Sequence, residues 1–140
     1  MKYEEIKQDL FKVSDEYYLA HCISSDAKMG AGIAVQFKKR FKLIDTIQKA
    51  NEGKLGVGTA FLEGRVINLI TKTKYFHKPT YQTFTSSLED MKRIAIENNI
   101  QKIAMPKIGA GLDRLSWAKN REIIKEVFYD TGIEILVCSL

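Results

Sequence analysis

Met105-Pro106-Lys107-Ile108-Gly109-Ala110-Gly111-Leu112-Asp113-Arg114-Leu115 lies between the apolar run Ile103-Ala104-Met105 and the pair Ser116-Trp117. The run reads as a buried strand, and the pair as the cap and first turn of a helix. Between them, Gly109 and Gly111 allow a tight turn whose N–H groups can approach an anion. Asp113, two residues on, stands at the rim of whatever that loop holds. A strand, a glycine loop, a helix and an adjacent acid make a binding-site geometry.

A second junction of the same kind comes earlier in the chain. Tyr17-Tyr18-Leu19-Ala20-His21-Cys22-Ile23 is a largely apolar run, as expected for a strand buried on both faces. Ser24-Ser25-Asp26-Ala27-Lys28-Met29-Gly30-Ala31-Gly32 follows as a loop. The helix after it places Ile33, Ala34, Phe37 and Phe41 on one face and Lys38, Lys39 and Arg40 mostly off it. Residues 43–49 are expected to continue that helix until Asn51-Glu52-Gly53 stops it.

Further out, residues 3–6 form a strand running into Gln8-Asp9-Leu10-Phe11, and Ser14-Asp15-Glu16 is turn-like. Residues 57–62 and 65–70 flank Glu63-Gly64 as a hairpin. Residues 71–79 form a basic loop containing Lys72, Lys74, His77 and Lys78. From Thr80, Phe84, Leu88, Met91 and Ala95 repeat at helical spacing as far as Glu97-Asn98-Asn99. Trp117, Ile124, Val127 and Phe128 mark a last helix, with Gly132 in the position of its stop and residues 133–138 as a final strand. This order predicts an α/β layered domain with a mixed sheet, parallel across the helical crossovers and antiparallel at the hairpin. Ligands in such sheets sit outside the carboxyl ends of strands. Both glycine loops and Thr71-Lys72 follow such ends, so three segments converge on one rim.

The bulk properties fit that reading. At 140 residues the chain is expected to be one domain, 1–140, and its 45% hydrophobic and 28% charged residues are those of an ordinary globular protein. No apolar run approaches the roughly 20 residues of a membrane span, so no membrane partner is expected. The N-terminus has no signal-peptide pattern. Two cysteines, Cys22 and Cys138, are too few for a disulfide framework, which points to the cytoplasm. A net charge of +5 favours phosphate-bearing partners only mildly.

A lone Gly-x-Gly is more often a turn than a phosphate cradle, but two in the same context shift the balance to a phosphate-bearing ligand. The dinucleotide fingerprint fails because Val35 stands where its third glycine belongs, and no Gly-Lys-Ser/Thr of a P-loop is present. A diphosphate held by two glycine loops stays open. Lys72 follows Val66-Ile67-Asn68-Leu69-Ile70, which anchors its stem and lets its amine reach the rim. Lys74, Lys78 and partial burial would free it as a nucleophile, although a surface lysine in a basic loop is the commoner reading of the residues alone. Asp113 is either a general acid/base or an acid favoured at a helix start. His21 reads as a core or ligand-edge histidine. It points to the opposite face from Cys22, so the two make no dyad. His21, Cys22, His77 and Cys138 lack metal-ligand spacing, so no metal is expected. Lys38-Lys39-Arg40-Phe41-Lys42 reads first as a solvated helix face, and only second as a nucleic-acid contact.

Several stretches together resemble a macrodomain: Leu19-Ala20-His21-Cys22-Ile23-Ser24, Met29-Gly30-Ala31-Gly32-Ile33-Ala34, Leu69-Ile70-Thr71-Lys72, His77-Lys78-Pro79-Thr80-Tyr81 and Met105-Pro106 through Leu115. Within that family they are similar to the terminal ADP-ribose protein glycohydrolase branch. The likeness covers nearly the whole chain in order. It implies a three-layer α/β/α sandwich around a mixed six-stranded sheet, with ADP-ribose as ligand. It also implies that Asp9 reads the adenine amino group, with Leu10, His21, Ser24, Thr71, Pro106 and Ile108 around the ligand. Gly30, Ala31, Gly32 and Ile33 would hold the distal ribose, and Gly109, Ala110, Gly111 and Leu112 would offer N–H groups to the phosphates. Lys72 matches the family's catalytic lysine and Asp113 its catalytic aspartate.

The activity implied is hydrolysis of mono-ADP-ribose from glutamate or aspartate residues of proteins and deacylation of O-acyl-ADP-ribose. No cofactor and a monomeric state are expected. The rival readings are a hydrolase acting on ADP-ribosylated DNA and a non-catalytic ADP-ribose reader with nucleic-acid affinity.

Overall fold

The computed structural model describes residues 1–140. Its strands are β1 (Lys2–Lys7), β2 (Tyr18–Ser24), β3 (Thr59–Glu63), β4 (Val66–Lys72), β5 (Lys102–Met105) and β6 (Glu134–Ser139). Its helices are α1 (Ile33–Phe41), α2 (Ile44–Asn51), α3 (Tyr81–Glu97) and α4 (Trp117–Phe128). The strands form one sheet in the order β1-β6-β5-β2-β4-β3. Every neighbour pair is parallel except the β3–β4 hairpin, so the mixed sheet read from the sequence is present.

Two apolar clusters lie on opposite faces of this sheet. Phe84, Leu88 and Met91 of α3 and Ile124 and Phe128 of α4 pack on Ile67, Leu69, Ile103 and Met105. Phe37 of α1 and Leu43 pack on Leu19, Ile23, Val66 and Ile70 of the other face. The period-2 alternation along β4 divides its residues between the two cores, which makes a three-layer α/β/α sandwich. With five strands parallel, their carboxyl ends share one edge. β5 and β2 are the two central strands of the sheet, with β4 beside β2.

Four boundaries differ from the sequence reading. The helix expected to run from Ile33 through residue 49 is two helices. Lys42 and Leu43 take positive φ of 64° and 52°, and this left-handed step turns Leu43 inward to 1% exposure. Apolar spacing alone cannot register such a break, because the pattern resumes on the same face. Gly132 does not end α4: the helix stops at Phe128, where the Phe128 carbonyl accepts from Thr131 N–H and Thr131 Oγ1. Lastly, β3 begins at Thr59, and Thr71 and Lys72 complete β4 rather than opening the following loop.

Candidate functional site

Where β2, β4 and β5 end, the structure opens a cavity of about 1020 Å³, at the upper end of the range for small-molecule sites. One wall is His21, Ser24 and the 24–32 loop, the second is Lys72 with Tyr75, Phe76, His77 and Lys78, and the third is Pro106, Ile108, Gly109 and residues 111–114. The three segments that the sequence brought to one rim therefore face one another.

The second wall owes its shape to an irregularity in the sheet. Ile23 of β2 pairs with Ile70 of β4, but Ser24 pairs with Lys72, so the register slips by one residue at Thr71. Such bulges re-aim the side chain that follows them. The Lys72 amine meets the Asp113 carboxylate of the third wall, Nζ to Oδ1 at 2.6 Å, with both side chains only 14% exposed. A nucleophile-type amine on a strand end and an acid/base carboxylate on a separate loop thus touch across the cavity. The sequence reading gave Lys74 and Lys78 the task of tuning Lys72. Both are exposed, and the charged group in contact with Lys72 is Asp113.

The first wall supplies an anion cradle. Gly32 precedes α1 at φ 61°, ψ −150°, a conformation essentially restricted to glycine, and it offers no side-chain cap. The N–H groups of Gly30, Ala31, Gly32, Ile33 and Ala34 donate to no acceptor in the protein. An uncapped helix start with free amides is suited to phosphate by dipole and donor geometry together. Across the gap, Gly111 and Leu112 also have free N–H groups. A Cβ added to Gly32 would stand 3.2 Å from Leu112 Cδ1, so the two glycine loops nearly touch above the cavity. Gly109, at φ 74°, has no room for a side chain: a Cβ there would lie 2.9 Å from Asn120 Nδ2 and 3.1 Å from Phe84 Cε1.

His21 and Cys22 lie at the floor. The His21 ring stacks on Phe37 at 3.9 Å between centroids, and its Nε2 bonds Asn68 Oδ1 at 2.7 Å. Asn68 Nδ2 donates to Thr46 Oγ1, which donates to Glu63 Oε1 at 2.6 Å. Burial pushes His21 down to about 4 against the raising effect of the Asn68 bond, so the ring is neutral at pH 7. Its Nε2 carries the proton, because the Asn68 amide nitrogen is already engaged as a donor. Cys22 packs on the α3 and α4 side, opposite His21. Burial, with Asp113 nearby, pushes its thiol up, which suits a floor residue and not a thiolate nucleophile.

Of the residues assigned to the ligand from sequence, Asp9, Leu10, Thr71 and Ala110 are not in the cavity wall. Asp9 Oδ1 accepts Phe11 N–H at 2.9 Å and caps a short 3-10 turn at Leu10–Lys12, while Leu10 is buried beneath it. Thr71 is buried behind Lys72, its carbonyl bonded by Thr83 Oγ1. Ala110 turns its N–H back to Lys107 O at 3.3 Å, so that group is not free for a phosphate. Sequence reasoning missed the aromatic rim. Tyr75 and Phe76 are 59% and 70% exposed on the second wall and pack edge-to-face, and Leu112 is 71% exposed on the third. The available signal was a pair of aromatics in a lysine-rich loop, outside any helical or strand spacing that would bury them. Lys28, Lys107 and Arg114 also line the cavity, whereas Lys38, Lys39 and Lys42 are exposed away from it. No cluster of three or more His, Cys, Asp or Glu side chains is arranged to hold a metal ion, and no helix is long and apolar enough to cross a membrane.

Comparison with known proteins places this geometry. The model of the family described as Macro domain matches residues 20–124. The chain is similar to human ADP-ribose glycohydrolase OARD1, at 44% identity over 136 residues, covering 96% of this chain and 90% of that protein. It is 32% identical over 131 residues to the DNA ADP-ribosyl glycohydrolase of Mycobacterium tuberculosis, covering 86% of this chain and 37% of that protein. Among solved structures, the macrodomain of Mycobacterium tuberculosis DarG superposes with a TM-score of 0.91 at 22% identity, over 99% of this chain and 97% of that one.

Proposed function

The chain belongs to the Macro domain family, and from that premise we propose that it is an ADP-ribosyl hydrolase working through Lys72 and Asp113. The observation that carries the reading is the 2.6 Å contact of those two side chains across the cavity. A protein that only bound ADP-ribose would need neither.

ADP-ribose lies with its diphosphate between the free N–H groups of the two glycine loops and its distal ribose between Lys72 and Gly32. Asp9 stands at the end of β1, two strands along the same carboxyl edge from β5, roughly 10 Å at ordinary strand spacing. This supports its assignment to the adenine end. Asp113 takes a proton from the Lys72 amine, which attacks the anomeric carbon of the distal ribose and displaces the acyl oxygen of a modified glutamate or aspartate. The proton then passes to the leaving group. Water, deprotonated by Asp113, releases ADP-ribose from the lysine adduct. Acyl esters of free ADP-ribose present the same sugar and are hydrolysed at the same site. No step calls for a metal ion.

A second substrate class has its own support. Exposed Tyr75 and Phe76, with Lys74 and Lys78 beside them, offer stacking faces and cations to a nucleic acid whose ADP-ribosyl group fills the cavity. The relative named as a DNA ADP-ribosyl glycohydrolase points the same way.

Release of ADP-ribose from glutamate-linked, serine-linked and DNA-linked substrates, with and without EDTA, tests the reading. Lys72→Ala is expected to abolish hydrolysis while ADP-ribose affinity stays within about 1 kcal/mol, since the loss falls on the transition state. Asp113→Ala is expected to slow turnover by roughly 10²- to 10⁴-fold and to accumulate an ADP-ribose adduct on Lys72, read by intact mass and peptide mapping. An active Lys72→Ala enzyme, an adduct on Lys74 or Lys78, or full loss with EDTA rescued by metal would overturn this mechanism.

A further inference from the structure

Asp26 belongs to the 24–32 loop yet is absent from the cavity wall, and no step above uses it. Its carboxylate is fully engaged. Oδ1 accepts from the Ser24 hydroxyl and, at 3.4 Å, from Lys28 N–H, while Oδ2 accepts Tyr75 N–H at 3.3 Å. The first two bonds are local. They make an Asx turn over Ala27, which is held left-handed at φ 50° with its N–H on Ser24 O. The third crosses to the segment that leaves β4. The residue before it does the same, because Ser25 N–H donates to Lys72 O at 2.8 Å. The backbone from Lys72 to Tyr75 is therefore pinned at both ends by two consecutive residues of the opposite loop, just beyond the bulge that aims Lys72. Burial alone would raise the Asp26 carboxyl, but the Ser24 hydroxyl and the Tyr75 and Lys28 amides hold it below its usual value, so both oxygens stay acceptors at neutral pH.

We propose that Asp26 is a positioning residue: its carboxylate clasps the 24–32 loop to the segment after β4 and fixes where Lys72 presents its amine to the sugar and to Asp113. The activity readout rests on the hydrolase reading, and a second readout does not. A displacement of about 1 Å at reacting groups can cost about 10²-fold, so a clasp at Tyr75, three residues from Lys72, is placed to matter for turnover more than for binding.

The test compares the wild type with Asp26→Ala, Asp26→Ser and Asp26→Asn. Asp26→Ala is expected to lower kcat for a glutamate-linked substrate by between about tenfold and about 10²-fold, with the calorimetric Kd for ADP-ribose within about threefold. Asp26→Ser keeps a hydroxyl for the local turn but lacks the oxygen that reaches Tyr75. It should fold and still lose kcat, which keeps the proposal open to test if the alanine variant does not fold. Asp26→Asn can accept from Tyr75 N–H and donate to Ser24 Oγ, giving up only the long 3.4 Å bond from Lys28 N–H, and is expected to recover most of the rate. A kcat for Asp26→Ser within about twofold of wild type, or an Asp26→Asn enzyme as slow as Asp26→Ser, overturns the clasp. If the wild type releases no ADP-ribose from any substrate, the hydrolase reading fails on its own. The clasp is then judged by the rate at which an amine-acylating reagent modifies Lys72, mapped by peptide mass. That rate should change in Asp26→Ser and not in Asp26→Asn; an unchanged rate overturns the proposal.

Discussion

The two helical layers of the sandwich are built differently. On one face α3 and α4, of 17 and 12 residues, start on side-chain caps from Thr80 and Ser116. They cover an apolar cluster of 18 buried residues, beside which the buried side chains of Ser87 and Asn120 donate to the backbone carbonyls of Phe84 and Ile108. On the other face α1 and α2, of 9 and 8 residues, start on Gly32 and Leu43, both at positive φ and both without a side-chain cap. Helices this short are marginal in isolation. The second of them is held by Glu63, whose carboxylate accepts the N–H groups of Asp45 and Thr46 from across the hairpin. From there the buried chain Glu63, Thr46, Asn68 and His21 runs to the cavity floor. The α1 and α2 layer leaves a helix start open and links its buried polar side chains into one chain, whereas the buried Ser87 and Asn120 of the other layer each donate to a single backbone carbonyl. Substitutions should therefore separate stability from binding according to the layer they touch.

The largest expected effect is acid sensitivity of the α1 and α2 layer. His21 is pushed down to about 4 in the folded protein, against about 6.5 unfolded. A histidine depressed in this way binds more protons when unfolded, so its contribution is complete above about pH 6.5 and is lost as pH falls toward about 4. Over that window the loss reaches roughly 3 kcal/mol. Urea unfolding at a series of pH values measures it. His21→Gln keeps a donor for Asn68 and cannot titrate, so its stability should be flat down to about pH 5, below which paired carboxylates such as Glu5 begin to protonate. An unchanged slope in that variant places the acid sensitivity outside the polar chain.

The next effect sets stability against binding at the open helix start. Ala31 is exposed beside the free amides of α1. Ala31→Asp puts a carboxylate at a helix N-terminus, which is worth about 0.3–1 kcal/mol in stability. The same charge opposes a diphosphate, and like-charge juxtaposition costs several kcal/mol, so ADP-ribose affinity should fall by at least about 10²-fold. Calorimetry and thermal unfolding on one sample read both. Unchanged affinity would mean that the diphosphate lies elsewhere.

The sequence carried the α/β layering, the mixed sheet and the convergence of two glycine loops on one rim, because those follow from local periodicity and from residues that punctuate it. It raised Lys72 and Asp113 as candidates from their positions, with a surface lysine as the commoner reading of the first, and resemblance gave both their catalytic roles. What it could not carry was long-range. The left-handed step at Lys42 and Leu43 is set by what Leu43 packs on, and the spacing around it still looks helical. The bulge at Thr71 exists only as a register between β2 and β4. The Asn68 side chain sits in an apolar strand run, and its role depends on Thr46 and His21, 22 and 47 residues away. The N–H of Ala110 looked available in a Gly-Ala-Gly loop, and its use by Lys107 O is a matter of turn geometry. Asp113, by contrast, was legible because loop and acid are close in sequence.

The smallest effect tests whether the capped layer is independent of the site. Thr80 Oγ1 accepts Thr83 N–H at 3.0 Å, and Thr83 Oγ1 accepts Thr80 N–H at 3.1 Å, a reciprocal box at the start of α3. Removing such a cap typically costs about 1 kcal/mol, because orphan amides return to water. Thr80→Ala should therefore lower the urea midpoint with m unchanged. It removes only one side of the box. Thr83 Oγ1 still donates to Thr71 O at 2.7 Å, the bond that ties α3 to the strand end carrying Lys72. Hydrolysis should then keep its kcat and KM within about twofold, measured where the variant is fully folded. A larger fall in kcat at full folding would mean that the start of α3 positions Lys72 through Thr83. Stability and site would then be shared between the layers instead of divided between them.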